Sequence, residues 1–166
     1  MLSLVDDYRE ILPGLYQGPF PYPYAHPEFH DMFDCVVVCS SPKYMSLWVQ
    51  AYPQLQAAVV ASFDYSPAGI RKLVEQAIDV ASAHRNGARV VVVCNSGVYR
   101  SSLFVALVKT QMGVDLDTAL ADMVATQSEW SVGSAKIFAD TVRSYLQGVG
   151  NDSQGEDRIS HAEGTE

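Results

Sequence analysis

The chain has 166 residues, of which 48% are hydrophobic and 18% are charged, and its formal net charge is −8. This length and composition are typical of one globular domain that buries a substantial core. The negative charge argues against general binding to nucleic acid or to an anionic membrane, and no segment approaches the ~20 apolar residues of a membrane-spanning helix.

Three cysteines, Cys35, Cys39 and Cys94, are too few and too irregularly spaced to predict a disulfide framework. No C-x-x-C pair or Cys/His grouping predicts a zinc site, so no metal is expected. The first residues carry acidic side chains where a secretion signal needs basic ones. We therefore expect a cytoplasmic location, where a reducing environment suits a working thiol.

The first part of the chain alternates apolar runs with turn residues. A stretch rich in proline and aromatic residues between the first two runs predicts irregular structure. In order, the predictions are an extended segment over residues 8–18 broken at Pro13-Gly14, a helical turn near 28–33, a buried strand over 35–39, a short helix over 43–52 and a strand over 57–63.

The second part of the chain is richer in helical periodicity. An apolar face formed by Ile70, Leu73, Val74, Ala77, Ile78 and Ala81 predicts an amphipathic helix over residues 68–85. The remaining predictions are a buried strand over 90–93, helices over 100–112, 116–126 (with Asp115 as its N-cap) and 134–146, and a disordered acidic tail over 148–166.

Strands that alternate with helices, followed by helices alone, predict an α/β fold. We expect one domain over residues 1–147, with a central, mainly parallel sheet of four or five strands flanked by helices. Four consecutive valines before Cys94 are typical of a strand that is buried on both faces of such a sheet.

The segment from Val90 to Ser102, VVVVCNSGVYRSS, predicts an anion site. It is a strand, a short loop containing Gly97 and the start of a helix, whose first backbone N–H groups lack internal partners. The loop residues that would cradle the anion are Asn95, Ser96, Gly97, Val98 and Tyr99, and the guanidinium of Arg100 can grip two phosphate oxygens.

The same segment carries the groups that cleavage of a phosphate ester by a thiol requires. The nucleophile must be a thiolate, although an ordinary cysteine titrates near pH ~8.5. Loop N–H groups, a helix N-terminus and Arg100 all favour the thiolate of Cys94. Ser101 can donate a hydrogen bond to the sulfur when it leaves phosphorus.

A general acid must protonate the leaving oxygen, and Asp64 is the candidate. It follows the predicted strand over residues 57–63. Because the carboxyl ends of parallel strands gather at one edge of a sheet, we expect Asp64 on the same rim as Cys94. An aspartate before Ser-Pro is also a common turn or helix-cap residue, and that simpler role stays open.

The segment VCNSGVYRSS resembles the C-x5-R-[ST] signature of cysteine-dependent protein phosphatases, and the chain as a whole is similar to their dual-specificity branch. EILPGLYQG, FDYSP and MGVDLDTALADMV extend the resemblance over roughly residues 8–146. It implies Cys94 as nucleophile, Arg100 as phosphate clamp, Ser101 as donor to the leaving thiolate, and Asp64 as acid and then base. No cofactor is implied.

Two features depart from that family or narrow its substrate. The family usually has histidine before the cysteine, where this chain has Val93, and the loss of that support predicts less thiolate and slower turnover. No variable loop position is basic, which favours phosphotyrosine or phosphoserine/threonine in proteins over a phosphoinositide. Phosphate and vanadate are expected to bind the loop.

Alternative roles remain for the loop and for Cys39. Val93 is compatible with a catalytically impaired phosphoprotein-binding module, and a rhodanese-type sulfurtransferase also uses a cysteine in an anion-binding loop. Cys39 ends a neighbouring strand. The resemblance raises a reversible disulfide between Cys39 and Cys94, whereas the residue's size favours a simple core position.

Overall fold

A computed structural model describes residues 8–20, 29–40, 59–63, 66–94, 100–126, 140 and 142–144. The predicted helix over 43–52, most of the helix over 134–146 and the tail over 148–166 lie outside the described residues. So do the candidate acid Asp64 and the loop over 95–99.

The described residues form five strands and four helices in the order β-β-α-β-β-α-β-α-α, and residues 140 and 142–144 are also helical. The strands are β1 (Arg9–Leu12), β2 (Leu15–Pro19), β3 (Cys35–Ser40), β4 (Val59–Ser62) and β5 (Val90–Cys94). The helices are α1 (Phe29–Met32), α2 (Pro67–Arg85), α3 (Arg100–Gln111) and α4 (Leu116–Thr126).

All five strands belong to one sheet with the order β1-β2-β5-β3-β4. β1 pairs antiparallel with β2, while β2, β5, β3 and β4 are mutually parallel. The predicted α/β fold with a mainly parallel sheet is therefore confirmed. We call the edge where β2, β5, β3 and β4 begin the amino edge, and the edge where they end the carboxyl edge.

The segment over residues 8–18 is a hairpin, β1–β2, that turns at Pro13 and Gly14. Gly14 has a φ of +81°, a backbone conformation that costs glycine little and other residues more. Its N–H donates to Glu10 Oε1 at 3.1 Å, and its carbonyl accepts from the N–H of Val90 at 2.9 Å. The turn between β1 and β2 is therefore also hydrogen-bonded to the first residue of β5.

Both faces of the sheet are covered by apolar side chains. Alternation along β5 sends Val90, Val92 and Cys94 to the larger core with α2, α3 and α4. Val91 and Val93 point to the opposite face, into a smaller cluster that includes Tyr8, Phe20 and Phe33. The prediction that β5 is buried on both faces is confirmed, since every residue from Val90 to Cys94 is buried.

Helix α2 begins at Pro67, one residue before the predicted start, and Ser66 Oγ caps it by accepting the N–H of Gly69 at 3.1 Å. Its buried face contains Ile70, Leu73, Ala77, Val80 and Ala81. The prediction was wrong for Ile78, which is 44% exposed. Positions 70, 73, 77 and 80–81 follow helical spacing, and the next position after Ala77 is rotated away from that stripe.

Helix α3 lies at the centre of the molecule, because every side chain from Ser101 to Val108 is buried. It packs against β5, β3, β2, α2 and α4, so it has no solvent-facing stripe over that length. Asp115 accepts the N–H of Thr118 at 3.2 Å and caps α4, as the sequence predicts. This packing places the first turn of α3 against the sheet, close to the carboxyl edge.

Candidate active site

Cys94 is the last residue of β5, and α3 begins six positions later at Arg100. A buried strand and a buried helix therefore flank the C-x5-R segment on both sides. The carbonyl of Cys94 accepts the N–H of Phe20 at 2.7 Å, which anchors the strand end to the residue after β2. The predicted phosphate-binding residues Asn95, Ser96, Gly97, Val98 and Tyr99 lie outside the described residues.

The thiol of Cys94 is free and its side chain is almost wholly buried. Its Sγ lies 3.3 Å from the Oγ of Ser101, which is fully buried in the first turn of α3. At this distance a neutral thiol donates to the hydroxyl, and a thiolate accepts from it. The contact that the sequence proposed between these two side chains is therefore present.

A second layer of polar side chains lies behind Ser101, and the sequence analysis did not find it. The Nε2 of Gln17 donates to Ser101 Oγ at 3.1 Å and to Ser102 Oγ at 2.5 Å. All three side chains are buried, at 3%, 0% and 0% exposure. We call Gln17, Ser101 and Ser102 the glutamine–serine cluster.

The signal for Gln17 was present in the strand pattern of β2. Leu15 and Gln17 are two positions apart and share one face, and Leu15 lies in the larger core. A glutamine two positions from a core leucine is therefore a polar residue on a buried face. Its partners are 84 and 85 residues away, so their identity could not be read from local sequence.

Arg100 is the first residue of α3 and is half-buried. Burial raises the pKa of the Cys39 thiol, and the positive charge of Arg100 acts on that thiol in the opposite direction. A cation at the first turn of a helix opposes the helix dipole, and such a position is stabilised when an anion binds between them.

Cys39 lies beside Cys94 on the same face of the sheet. Val38 of β3 pairs with Val93 of β5, and Cys39 and Cys94 are the next residues along these parallel strands. Burial raises the pKa of the Cys39 thiol well above its usual range, and repulsion from Cys94 raises it further. Both thiols are free, and Cys39 occupies the core position that its size favours.

Val93 points away from Cys94. It is fully buried in the smaller cluster with Tyr8, Phe20 and Phe33 on the opposite face. Its side chain therefore contributes packing on that face. The polar support that the described residues give to Cys94 comes instead from the glutamine–serine cluster.

The candidate acid Asp64 follows Phe63, whose N–H donates to the carbonyl of Ser40 at 2.9 Å. This hydrogen bond continues the β3–β4 pairing to the carboxyl edge. Asp64 itself lies outside the described residues. Its role as general acid stays a prediction.

No group of three or more histidine, cysteine, aspartate or glutamate side chains is arranged to hold a metal ion within the described ranges. None of the described helices is both long and apolar enough to cross a membrane.

Comparison with solved structures identifies the fold. The chain is similar to Tk-PTP in its active form, at 17% identity and a TM-score of 0.64, covering 84% of this chain and 97% of that one. Human DUSP28 is similar at 16% identity and a TM-score of 0.59, covering 87% of this chain and 95% of that one. A third similar structure is the human tyrosine phosphatase-like serine/threonine/tyrosine-interacting protein. Its sequence identity is 22% and its TM-score is 0.60, covering 84% of this chain and 95% of that one. No family model and no curated protein matches the sequence.

Proposed function

Since the chain has the fold of the cysteine-dependent protein phosphatases in its dual-specificity form, we propose that it is a phosphomonoester hydrolase acting on phosphorylated proteins. The substrates are phosphotyrosine and, in the same pocket, phosphoserine or phosphothreonine. One observation carries the proposal: the free thiol of Cys94 lies 3.3 Å from Ser101 Oγ, between a buried strand and the first turn of a buried helix.

In the first step, the thiolate of Cys94 attacks phosphorus and forms the sulfur–phosphorus bond. The ester phosphorus–oxygen bond breaks, and Asp64 gives its proton to the leaving oxygen. Arg100 and the N–H groups of residues 95–99 hold the phosphate oxygens. The phosphoryl group carries its charge on those oxygens, so positioned donors lower the barrier without any rearrangement.

In the second step, water attacks the phosphocysteine. Asp64, now ionised, takes a proton from the water, and the sulfur–phosphorus bond breaks to release inorganic phosphate. The departing thiolate accepts a hydrogen bond from the Ser101 hydroxyl. A cysteine is a good nucleophile and, when stabilised as a thiolate, also a good leaving group, which suits both steps.

The charge of the chain and of the loop favours phosphoprotein substrates, and the catalytic thiol favours a reducing compartment. The chain is acidic, with a net charge of −8, and none of the loop positions 95–99 is basic. A polyanionic lipid headgroup would meet little positive charge beyond Arg100. A catalytic thiol also needs a reducing compartment such as the cytoplasm.

The test is hydrolysis of a small aryl phosphate by the wild type and by Cys94→Ser. We expect the variant to lose turnover by roughly 10⁴-fold or more, as nucleophile removal does in other covalent enzymes, while it still binds phosphate or vanadate. Cys35→Ser is the matched control, because Cys35 is a half-buried thiol at the amino edge and is expected to leave turnover unchanged. Turnover by Cys94→Ser at the wild-type rate would exclude the proposal.

A phosphoprotein-binding module without turnover is the second candidate. Val93 favours it, and one protein of similar fold is named a phosphatase-like interacting protein. Tight phosphopeptide binding with no hydrolysis at any pH up to about 8.5 would establish this role. Transfer of sulfur from thiosulfate to cyanide would instead indicate a rhodanese-type activity.

A further inference from the structure

Gln17 is connected to the nucleophile through Ser101, which is hydrogen-bonded to both side chains. We propose that Gln17 is a positioning residue: its amide donates to Ser101 Oγ, leaves the Ser101 hydrogen for Cys94 Sγ, and so favours the thiolate. The consequence for turnover rests on the proposed function. The ionisation of Cys94 itself does not, because it can be measured without a substrate.

The direction of the hydrogen bonds follows from the amide atom that faces the two serines, which is Nε2 of Gln17. A carboxamide nitrogen has two hydrogens and donates only. The Nε2 of Gln17 gives one to Ser101 Oγ at 3.1 Å and one to Ser102 Oγ at 2.5 Å. Each hydroxyl thus uses one lone pair on Gln17 and keeps its own hydrogen for another acceptor.

For Ser101, the sulfur of Cys94 is within reach at 3.3 Å. When Cys94 is neutral, its S–H donates to the second lone pair of Ser101 Oγ. When Cys94 is ionised, the Ser101 hydrogen points to the thiolate in a charge-assisted bond, which is stronger than a neutral one. A hydrogen bond to the charged form shifts the equilibrium toward that form.

Burial increases the effect of this arrangement. Gln17, Ser101 and Ser102 are each at most 3% exposed, so little water reaches their hydrogen bonds. A carboxamide in the core carries a desolvation cost that an apolar side chain of similar volume would avoid. The two hydrogen bonds that the amide nitrogen donates to Ser101 and Ser102 offset part of that cost.

Other ionisable groups near Cys94 remain in place when Gln17 is changed. Within the described residues, Cys39 lies on the neighbouring strand β3, and Arg100 begins α3 and acts electrostatically on Cys39. The charged side chains of Arg9, Glu10, Lys109 and Asp122 line the same cleft as Gln17, and substitution of Gln17 by methionine alters none of these charges. Gln17 is neutral and Val93 faces the opposite side of the sheet. A change in Cys94 ionisation on substitution of Gln17 therefore reports the hydrogen bond.

The experiment measures the rate of Cys94 alkylation by iodoacetamide against pH. Trypsin releases residues 90–100 as one peptide in which Cys94 is the sole cysteine, whereas Cys35 and Cys39 fall together on residues 10–43. Mass spectrometry of the first peptide therefore follows Cys94 alone. In Gln17→Met, which keeps the volume and removes both donors, we expect the midpoint to rise by about 0.5–1 pH unit.

Gln17→Glu replaces a hydrogen-bond donor to Ser101 with an acceptor. Its carboxylate accepts the Ser101 hydrogen and adds negative charge, so the midpoint should rise further than in Gln17→Met. Gln76→Met is the matched control. Gln76 donates from α2 to the carbonyl of Val60 at 2.7 Å and lies in α2, away from the Cys94–Ser101 contact, so this variant should lose stability and leave the Cys94 midpoint unchanged.

A double-mutant cycle tests whether Gln17 acts through Ser101. In the Ser101→Ala background, Gln17→Met should produce no additional shift. A midpoint in Gln17→Met that equals or falls below the wild-type value would overturn the inference, as would an equal shift in both backgrounds. Thermal unfolding confirms that each variant is folded at the assay temperature; Gln17 also lines a cleft of about 200 Å³, which gives a methionine room.

Activity separates this inference from the proposed function. If the enzyme is a phosphatase, kcat/KM for an aryl phosphate below the midpoint should fall about three- to tenfold in Gln17→Met, in step with the thiolate fraction. A wild type with no turnover but a shifted midpoint in Gln17→Met upholds the inference and rejects the proposed function. Turnover through Cys94 with no shift of the midpoint in Gln17→Met rejects the inference and upholds the proposed function.

Discussion

At the amino edge of the sheet, polar groups are exposed and serve the turns that start the strands, whereas at the carboxyl edge they are buried around a thiol. Asp34 and Arg89 pair at the amino edge with half-exposed side chains. Ser101 and Gln17 lie beneath the carboxyl edge with almost no exposure. Buried polar groups cost free energy unless they are hydrogen-bonded, so the edge that retains them is the one expected to carry chemistry.

This comparison predicts a division of effects. Substitutions at the carboxyl edge should change the rate far more than they change stability. Substitutions at the amino edge should do the opposite.

Asp64→Asn tests the carboxyl edge beyond the nucleophile. If Asp64 is the general acid, kcat should fall by ~10²–10⁴-fold, because a positioned acid contributes about that much. The wild-type rate should also decline at high pH, once Asp64 has lost its proton, and this limb should be missing in the variant. The measurement is a pH–rate profile on an aryl phosphate with both proteins. A profile of unchanged shape and height would remove Asp64 from the mechanism.

Gly14→Ala tests the amino edge through its backbone. The φ of +81° is unfavourable for alanine, and a Cβ would meet only ordinary contacts with His84 and Ala88. We expect a loss of about 1–2 kcal/mol in unfolding free energy, measured by urea denaturation, with kcat unchanged. Gly14→Asn is the control, because asparagine tolerates this conformation better and should lose less. A clear fall in kcat of Gly14→Ala under conditions where the variant is folded would contradict the division between the two edges.

The outcome for the sequence predictions follows the same division between local and distant information. β5 and α2 were predicted within a residue or two because valine runs, Ser66-Pro67 and helical spacing are local signals. Ile78 was placed on the wrong side because periodicity alone does not say where a buried stripe ends. Gln17 was missed because its partners are 84 and 85 residues away and depend on the packing of α3 over β2.

Asp34→Asn is the smallest effect and depends on pH. The backbone N–H of Arg89, 2.8 Å from Asp34 Oδ2, is the main reason that the pKa of this carboxyl is lowered, and the Arg89 charge adds to it. A lowered folded pKa stabilises the protein above the unfolded value, near ~3.9, and that stabilisation disappears as pH falls through the folded value.

The wild type should therefore be slightly more stable than Asp34→Asn at neutral pH, and the difference should disappear below about pH 4. Because Asp34 is exposed, added salt should reduce the charge-dependent part of the difference. Thermal unfolding of both proteins at several pH values and at two salt concentrations measures this. A difference that persists at low pH would show that the carboxylate charge is not its cause.

Trapping the covalent intermediate tests the central claim most directly. The enzyme is denatured rapidly during turnover of a phosphorylated substrate, and the tryptic peptide over residues 90–100 is analysed for attached phosphate. We predict phosphate on Cys94 in the wild type and a larger fraction in Ser101→Ala, where the departing thiolate loses its hydrogen-bond donor. Hydrolysis with no phosphate on Cys94, or with phosphate on another residue of that peptide, would contradict the account.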